Sequence, residues 1–226
     1  KALVLFSGGI DSTTALALAI NKYGKDRVIA LSVSYGQKHD KEIQAAIAVA
    51  EYYGVEHLFL DLRKIFTYSN CSLLKQSTEK IPEESYAKQI SKSNGETPVS
   101  TYVPFRNGLF LSSAASIALS KDCEVIYYGA HADDSAGFAY PDCSPVFNRA
   151  MNEAIWEGSG HQLKIEAPFV NVSKAEVVRI GLELNVPYEL TWSCYEGGEK
   201  PCGKCGTCID RAAAFQANHV EDPALQ

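Results

Sequence analysis

A short segment near the start of the chain has the composition of a phosphate-binding turn. Its residues are Ser7, Gly8, Gly9, Ile10, Asp11 and Ser12. It follows the apolar run of residues 2–6 and precedes a helical pattern over residues 13–23. Glycines let backbone N–H groups turn towards a phosphate, and a helix N-terminus adds positive potential. The carboxylate of Asp11 fits such a site only beside a cation, so we predict a nucleotide phosphate with Mg²⁺; a purely structural glycine turn is the simpler alternative.

The segment fits neither the Walker pattern nor the dinucleotide-binding fingerprint. It resembles the PP-loop of the ATP pyrophosphatase superfamily, whose members cleave ATP between the α- and β-phosphates and leave AMP on the substrate. With this resemblance we predict that the following residues bind ATP: Phe6, Ser7, Gly8, Gly9, Ile10, Asp11, Ser12, Thr13, Ser34, Tyr35 and Gly36.

Four cysteines near the other end of the chain have the spacing of metal ligands. They are Cys194, Cys202, Cys205 and Cys208, and the last three form a glycine-rich C-x-x-C-x-x-C pattern. Four thiolates complete a tetrahedral Zn²⁺ site and leave no open position for a substrate. We therefore predict one structural Zn²⁺ per chain that fixes the C-terminal tail near the ligand-binding edge of the sheet. Disulfides and an iron–sulfur cluster are the alternatives.

The composition bounds the class of protein and its partners. The chain has 226 residues, 46% of them hydrophobic, with seven cysteines and a formal net charge of −6. No apolar run approaches the roughly 20 residues of a membrane span, and no secretory signal is visible at the start. We therefore predict a cytoplasmic protein without membrane partners. The acidic balance, unlike the basic face of most nucleic-acid-binding proteins, also predicts no nucleic-acid partner.

Alternating strand and helix patterns predict an α/β fold with a doubly wound, mostly parallel sheet. The strand patterns cover residues 2–6, 28–34, 56–60 and 124–129, and the helical patterns cover 13–23, 40–53, 107–120, 146–156 and 174–184. Ligands of such sheets bind beyond the carboxyl ends of the strands, where residues 7–12 and 34–36 fall. We interpret the polar segment 75–100 as a surface insertion, either a flap over the site or a solvated loop.

Taken together, these motifs resemble the QueC family of 7-cyano-7-deazaguanine synthases over nearly the whole chain. The matching segments, in the same order, are residues 6–16, 34–39, 103–107, 140–143, 173–176 and 194–208. The resemblance implies the PP-loop fold (adenine nucleotide alpha hydrolase-like), with an ATP-binding domain over residues 1–185 and a small zinc-binding region over residues 186–226. It also implies a homodimer.

The reaction implied by the resemblance belongs to queuosine and deazapurine biosynthesis. One ATP adenylates the carboxylate of 7-carboxy-7-deazaguanine, and ammonia displaces AMP to give an amide. A second ATP activates the amide oxygen, whose loss gives the nitrile. The substrates are then ATP, ammonium and 7-carboxy-7-deazaguanine, with Mg²⁺ accompanying ATP. No segment resembles a glutaminase, so free ammonium is the expected nitrogen source.

Motif context suggests roles for individual residues. Arg106 and Lys174 are candidates for stabilising phosphate charge, and with Asp11 they form the predicted catalytic set; surface cations are the alternative for the first two. For substrate binding we predict Arg106, Tyr140 stacking on the deazaguanine ring, and Asp142 accepting from the exocyclic amine and the ring N–H. A simple proline turn is the alternative for the segment around Tyr140.

The predicted pocket also contains a candidate metal site and departs from the family pattern. Asp11 with Asp133 or Asp134 is a candidate Mg²⁺ site, although a turn with capping aspartates is an equal alternative for the last two. The chain departs from the family pattern at two places that flank the predicted substrate pocket: Phe105 stands where the family often carries glycine, and the segment 129–139 is longer.

Three other functions compete with this interpretation. Some relatives of the family transfer the activated base to a protein. A tRNA-thiolating PP-loop enzyme would need a basic face and a reactive cysteine outside the metal site. A non-catalytic zinc-knuckle module would have no use for the PP-loop. Formation of AMP from ATP separates the enzymes from the binding module.

Overall fold

The computed structural model describes residues 1–92 and 97–225. Within them, five parallel strands form one sheet in the spatial order β3-β2-β1-β4-β5. The strands are β1 (Ala2–Leu5), β2 (Val28–Ser34), β3 (Glu56–Asp61), β4 (Val125–Tyr127) and β5 (Lys164–Glu166). The predicted doubly wound parallel sheet is therefore confirmed. The chain winds outwards from β1 to β3 and then returns to the other side of β1, so the winding reverses between β1 and β4.

Helices connect the strands on both faces of the sheet. They are α1 (Ile10–Tyr23), α2 (Lys41–Tyr53), α3 (Tyr86–Lys92), α4 (Arg106–Ser120), α5 (Ala132–Ser135), α6 (Pro145–Gly158), α7 (Lys174–Glu183) and α8 (Gly206–Ala217). The predicted elements are present with their ends shifted by at most three residues, whereas β5, α3, α5 and α8 were not predicted. No helix in the described part of the chain has the length and apolar character needed to cross a bilayer.

The central strand is apolar throughout because both of its faces are buried. Ala2 and Val4 face a core packed by α1, α2, α7 and α8, whereas Leu3 faces a second core packed by α4 and α6. This alternation follows from the two-residue period of a strand. In the sheet register, Ala2 lies opposite Val28 of β2 and Val125 of β4. The two cores hold the carboxyl ends of β1, β2 and β4 side by side at one edge.

The C-terminal segment packs against the sheet domain. Phe215 of α8 belongs to the same core as β1 and is almost fully buried. Arg211 forms a buried ion pair with Asp222, with Nη2 2.8 Å from Oδ1, and donates to the carbonyl of Tyr188 at 3.1 Å. These contacts fix the end of the chain beside α7 and the strand ends.

The polar segment 75–100 is not simply a solvated loop in its described part. It contains α3, and Ile81, Tyr86 and Val99 in it are buried. Residues 93–96 of the predicted insertion lie outside the described residues. The described part forms a wall over the carboxyl edge of the sheet, and motion of it as a flap stays a prediction.

Candidate functional site

A cavity of about 240 Å³ opens at the carboxyl ends of β1, β2 and β4. The following predicted site residues line it: Phe6, Ser7, Gly9, Asp11, Ser12, Tyr35, Arg106, Tyr140 and Lys174. These residues come from five separate stretches of sequence, and the fold brings them to one place. The other predicted residues do not line the cavity: Gly8, Ile10, Thr13, Ser34, Gly36 and Asp142. For those six, contact with ATP or substrate stays a prediction.

The turn after β1 leaves the N-terminus of α1 open to the cavity. Gly9 is the residue that precedes the helix, and no side chain caps it. The Ser12 hydroxyl fixes the turn, because it accepts from the Ser7 amide at 3.2 Å and donates to the Gly9 carbonyl at 3.2 Å. Uncapped N–H groups together with the dipole of a 14-residue helix form a site for an anion.

Gly8 has a structural task that explains its absence from the cavity wall. Its φ is +80°, and a Cβ there would lie 2.5 Å from the backbone nitrogen of Ala46 in α2. On the opposite side, a Cβ at Gly129 would lie 2.9 Å from the backbone of Asp11. The turn is therefore packed between α2 and the segment after β4. Ile10 likewise points into the core, where it is 1% exposed.

An ion pair joins the turn to the start of α7. Lys174 Nζ lies 2.7 Å from Asp11 Oδ2, and the two side chains are 12% and 24% exposed. Burial alone raises the pKa of Asp11, but Lys174 and His131 outweigh burial and hold this pKa below its ordinary value. Burial lowers the pKa of Lys174, but Asp11 and Asp134 raise it above its ordinary value. Both groups are therefore charged at neutral pH.

The other oxygen of this carboxylate is unsatisfied. Asp11 Oδ1 is buried and has no hydrogen-bond partner among the described residues, and His131 Nε2 lies 3.8 Å away. Asp134 lines the same region, and burial raises its pKa. A bare carboxylate oxygen near a second carboxyl group fits a hard divalent cation such as Mg²⁺. Asp133 instead accepts from the amide of Lys174, the first residue of α7, at 2.8 Å.

Arg106, the first residue of α4, supplies the second positive charge. Its guanidinium lies over the rings of Tyr35 and Phe110, 5.2 and 5.9 Å from their centroids. Burial lowers the pKa of Arg106, but the nearby Tyr35 and Asp142 raise it by more than burial lowers it. The pKa therefore lies above its ordinary value. Within the described residues, no carboxylate forms an ion pair with this guanidinium. A partly buried arginine without a carboxylate partner is available to a bound anion.

Asp142 is buried beside the start of α4, and its contact with a substrate stays a prediction. Its carboxylate is 4% exposed and accepts from the Asn107 amide at 2.8 Å, while Asn107 Nδ2 donates to its carbonyl at 3.2 Å. The carboxylate therefore caps α4 and positions Arg106.

An aromatic wall forms the side of the cavity next to Arg106. Tyr140 lines the cavity as predicted, and its hydroxyl lies 2.6 Å from Thr101 Oγ1. Its ring meets Tyr86 of α3 edge to face at 5.5 Å, and the Tyr86 hydroxyl lies 2.7 Å from that of Tyr195. The three tyrosines present a surface on which a planar base can lie.

The four cysteines of the C-terminal segment meet as predicted. Their Sγ atoms all lie within 4.8 Å of one another, which is compact enough to hold a metal ion. Cys202 Sγ and Cys208 Sγ are 4.0 Å apart, about twice the length of a disulfide bond. The Cys202 and Glu196 amides point at Cys194 Sγ at 3.3 and 3.4 Å, which favours a thiolate there.

This cluster is linked directly to the phosphate-binding turn. Trp192 Nε1 donates to the Cys194 carbonyl at 2.7 Å, and the Trp192 amide donates to the Gly8 carbonyl at 3.0 Å. Thr207 and Asp210 of α8 line the cavity, and burial raises the pKa of Asp210 to about 6. The C-terminal segment therefore forms part of the cavity wall.

Several residues of this site were not predicted from the sequence. They are Glu42, Tyr86, His131, Trp192, Tyr195 and Asp210. Glu42 carried a usable signal because it lies in the first turn of a predicted helix at the ligand-binding edge, and Tyr195 lies in the matching segment 194–208. The others reach the cavity through tertiary packing of distant segments, which no local pattern shows.

Comparison with known proteins shows to which family this chain belongs. A sequence profile described as "Queuosine biosynthesis protein QueC" matches residues 1–219. The chain belongs to the QueC family. It is 42% identical over 226 residues to a 7-cyano-7-deazaguanine synthase of Archaeoglobus fulgidus, covering 100% of this chain and 90% of that protein. It is 43% identical over 229 residues to one of Thermoplasma volcanium, covering 99% and 89%.

Solved structures share the fold of this QueC-family chain at low sequence identity. NMN synthetase from Francisella tularensis has a TM-score of 0.52 and 16% identity, covering 97% of this chain and 77% of that one. The U34-tRNA thiolase NcsA from Methanococcus maripaludis, solved with its [4Fe-4S] cluster, has a TM-score of 0.52 and 17% identity, covering 96% and 67%. These likenesses confirm the predicted fold class.

Proposed function

We propose that this QueC-family protein is an ATP-dependent ligase that forms carbon–nitrogen bonds and makes 7-cyano-7-deazaguanine from 7-carboxy-7-deazaguanine and ammonia. Its curated relatives carry the name of that activity. The observation that carries the proposal is the cavity itself, where the uncapped N-terminus of α1 faces Lys174 and Arg106. This arrangement suits phosphate binding and transfer of AMP to a carboxylate in queuosine and deazapurine biosynthesis.

The phosphate-binding turn holds the pyrophosphate part of ATP in this proposal. The N–H groups at the start of α1 and the hydroxyl of Ser7 donate to its oxygens, while the Ser12 hydroxyl keeps the turn in shape through the Gly9 carbonyl. Mg²⁺, when bound with ATP, neutralises phosphate charge, and Asp11 and Asp134 are the residues that would hold it. Lys174, fixed by Asp11 at 2.7 Å, keeps a positive charge at the point where the pyrophosphate leaves.

The acid substrate occupies the neighbouring part of the cavity. Arg106 binds its carboxylate and places one carboxylate oxygen to attack the α-phosphate, and Tyr140 supports the flat ring. The resulting acyl adenylate has AMP as a good leaving group, which ammonia displaces to give the amide. A second round with ATP activates the amide oxygen and yields the nitrile. The walls from α3 and the C-terminal segment restrict water, which would otherwise hydrolyse the adenylate.

We propose that the cysteine cluster holds one structural Zn²⁺. Four thiolates fill the coordination sphere of Zn²⁺ and leave no place for substrate. Elemental analysis of the purified protein tests this proposal, and one zinc per chain supports it. Iron and sulfide in the protein, together with the visible absorbance of a [4Fe-4S] cluster, would contradict it. The support for a structural role is the path from Cys194 through Trp192 to Gly8.

We also propose that residues 1–185 form the ATP-binding domain and that residues 186–226 form the metal-binding region packed on it. We further propose that the enzyme is a cytoplasmic homodimer whose substrates are small molecules alone. Light scattering of the purified protein tests the oligomeric state: twice the 24.6 kDa chain mass supports the dimer, and the single mass refutes it.

The reaction is tested by mass spectrometry of products. Purified protein is mixed with ATP, Mg²⁺, ammonium and 7-carboxy-7-deazaguanine. Nitrile together with AMP is the expected result. AMP without amide or nitrile indicates an adenylating relative whose acceptor is another molecule, such as a protein. Absence of any AMP would refute the role of the phosphate-binding turn.

A further inference from the structure

Glu42 is a charged group in the cavity to which the proposed function assigns no task. It lies in the first turn of α2, and its side chain lines the cavity together with Arg106 and Tyr35. Its carboxyl group makes neither a hydrogen bond nor an ion pair with any residue in the described part of the chain. Arg106 is close enough to influence it electrostatically but remains beyond ion-pair distance. Two opposite charges therefore face one cavity with a gap between them.

The surroundings of this carboxyl group suit proton transfer near neutral pH. Burial raises the pKa of Glu42 to about 7, and Arg106 offsets only part of that effect. The ionisable groups that act on it or feel its charge are Arg106 from α4 and Tyr35 after β2. The other charged or titratable groups of the cavity lining include Asp11, His131, Asp134, Lys174 and Asp210. Burial raises the pKa of Tyr35 far above neutrality, so this phenol stays neutral. A carboxyl group that titrates close to the working pH is well matched to general base catalysis.

The proposed reaction needs such a base. At neutral pH ammonia is present almost entirely as ammonium, which has no free lone pair until it loses a proton. On the basis of the proposed function, we infer that Glu42 is the general base that takes a proton from ammonium beside the adenylated carboxylate held by Arg106. A carboxylate also attracts the cation before the transfer, while the guanidinium attracts the acyl adenylate. The gap between the two charges is where nucleophile and electrophile meet.

The step balances as a simple acyl transfer. Ammonium gives one proton to the Glu42 carboxylate, and the freed nitrogen lone pair forms the C–N bond to the carbonyl carbon. The bond from that carbon to the AMP phosphate oxygen breaks, and its electron pair leaves with AMP. The amide keeps two of the four ammonium hydrogens, and the fourth leaves as a proton with AMP. Glu42 then returns its proton to solvent.

The test compares two nucleophiles in Glu42→Gln. Ammonium requires deprotonation, whereas hydroxylamine is already neutral at pH 7 and gives a hydroxamate. We expect the variant to lose about 10²–10³-fold in rate with ammonium and less than about 3-fold with hydroxylamine. We also expect exchange of labelled pyrophosphate into ATP, which reports adenylation alone, to change by less than about 3-fold. Glu51→Gln, an exposed position on the same helix, is the matched control and should leave all three rates unchanged.

The pH profile gives an independent readout. With ammonium, the wild-type rate should rise to about pH 7 and then level off as Glu42 becomes ionised. The variant depends on free ammonia from solution, so its rate should continue to rise with pH and the gap between the two should close. Equal losses with both nucleophiles, or a gap that does not change with pH, would overturn the inference. Absence of adenylation in the wild-type protein would instead overturn the proposed function.

Discussion

Replacing Lys174 with methionine should destabilise the protein by an amount that its ion pair predicts. At 2.7 Å from Asp11 Oδ2, the attraction between unit charges is about 6 kcal/mol at an effective dielectric constant of about 20. Desolvation of both groups cancels much of this attraction. Breaking a fully buried pair costs about 3–5 kcal/mol, because the remaining charge is left unpaired. Both side chains keep some contact with water, so we expect Lys174→Met to lower the free energy of unfolding by about 2–3 kcal/mol at pH 7.

The pH dependence of this loss has a definite sign. Asp11 has a pKa below its ordinary value of 3.8, so its contribution is present above about pH 4 and disappears as pH falls through its lowered pKa in the folded protein. Lys174 has a pKa above its ordinary value of 10.5, so its contribution is present below that pH and disappears as pH rises through its raised pKa in the folded protein. The difference between wild type and variant should therefore be constant from about pH 5 to 9 and shrink in stronger acid.

Urea denaturation of four proteins measures the effect. The wild type, Lys174→Met, Asp11→Asn and the double variant form a thermodynamic cycle, in which we expect a coupling energy of about 2 kcal/mol. Lys164→Met is the control, because Lys164 is 51% exposed and pairs with Glu166 at 3.5 Å; it should change stability by less than about 0.5 kcal/mol. A loss for Lys174→Met as small as that of the control, or additive single effects, would refute the reasoning.

Three further changes have outcomes that the structure predicts. Gly8→Ala should cost more than about 2 kcal/mol, since the added Cβ would lie 2.5 Å from the backbone of α2, whereas Gly24→Ala, with a similar φ but open space, should cost about 1 kcal/mol in urea denaturation. Cys205→Ser should abolish stoichiometric metal binding and lower Tm by at least about 6 °C, as expected for a loss of about 3 kcal/mol. Arg211→Met should cost about 3–5 kcal/mol by leaving the buried Asp222 unpaired, and removing both charges should restore most of that stability.

Each of these changes has an outcome that would contradict its basis. Equal costs for the two glycine variants would show that backbone conformation alone matters at Gly8. An unchanged metal content in Cys205→Ser would mean that this thiolate is not a ligand. A double variant of Arg211 and Asp222 no more stable than Arg211→Met would show that the pair does not act as a unit.

The order of elements was predictable because the strongest sequence signals are local. The apolar run before the glycine turn and the helical period after it predict β1 and α1, and β2, β3 and β4 follow by the same criteria. β5 has only three residues, Lys164–Glu166, which is too short for any period to show. The glycine-rich cysteine segment concealed α8, because glycines and metal-ligand spacing are typical of a loop. In the structure, α8 begins at Gly206, between two of the cysteines.

The candidate site was predictable only in part, since its charges come from segments that are distant in sequence. The structure brings part of the turn after β1 to the cavity together with Arg106 and Lys174, and it brings the four cysteines together in a cluster of their own. The inward position of His131 depends on the packing of the turn after β4. The capping role of Asp142 depends on its meeting Asn107 across 35 residues of chain. Side-chain direction at such places is fixed by tertiary contacts, and a sequence pattern does not contain it.

The close packing of Gly8 and Gly129 around the phosphate-binding turn has a consequence for how ATP binds. Backbone on both sides occupies the space in which the turn could otherwise fluctuate. The conformational entropy of the turn is therefore lost when the protein folds, before any ligand arrives. In the proposed function, nucleotide binding therefore needs little further ordering of this segment, and we expect the turn to act as a preorganised receptor. A side chain at Gly8 would force α2 to move, and one at Gly129 would displace the turn itself, so either substitution would disturb this preorganisation.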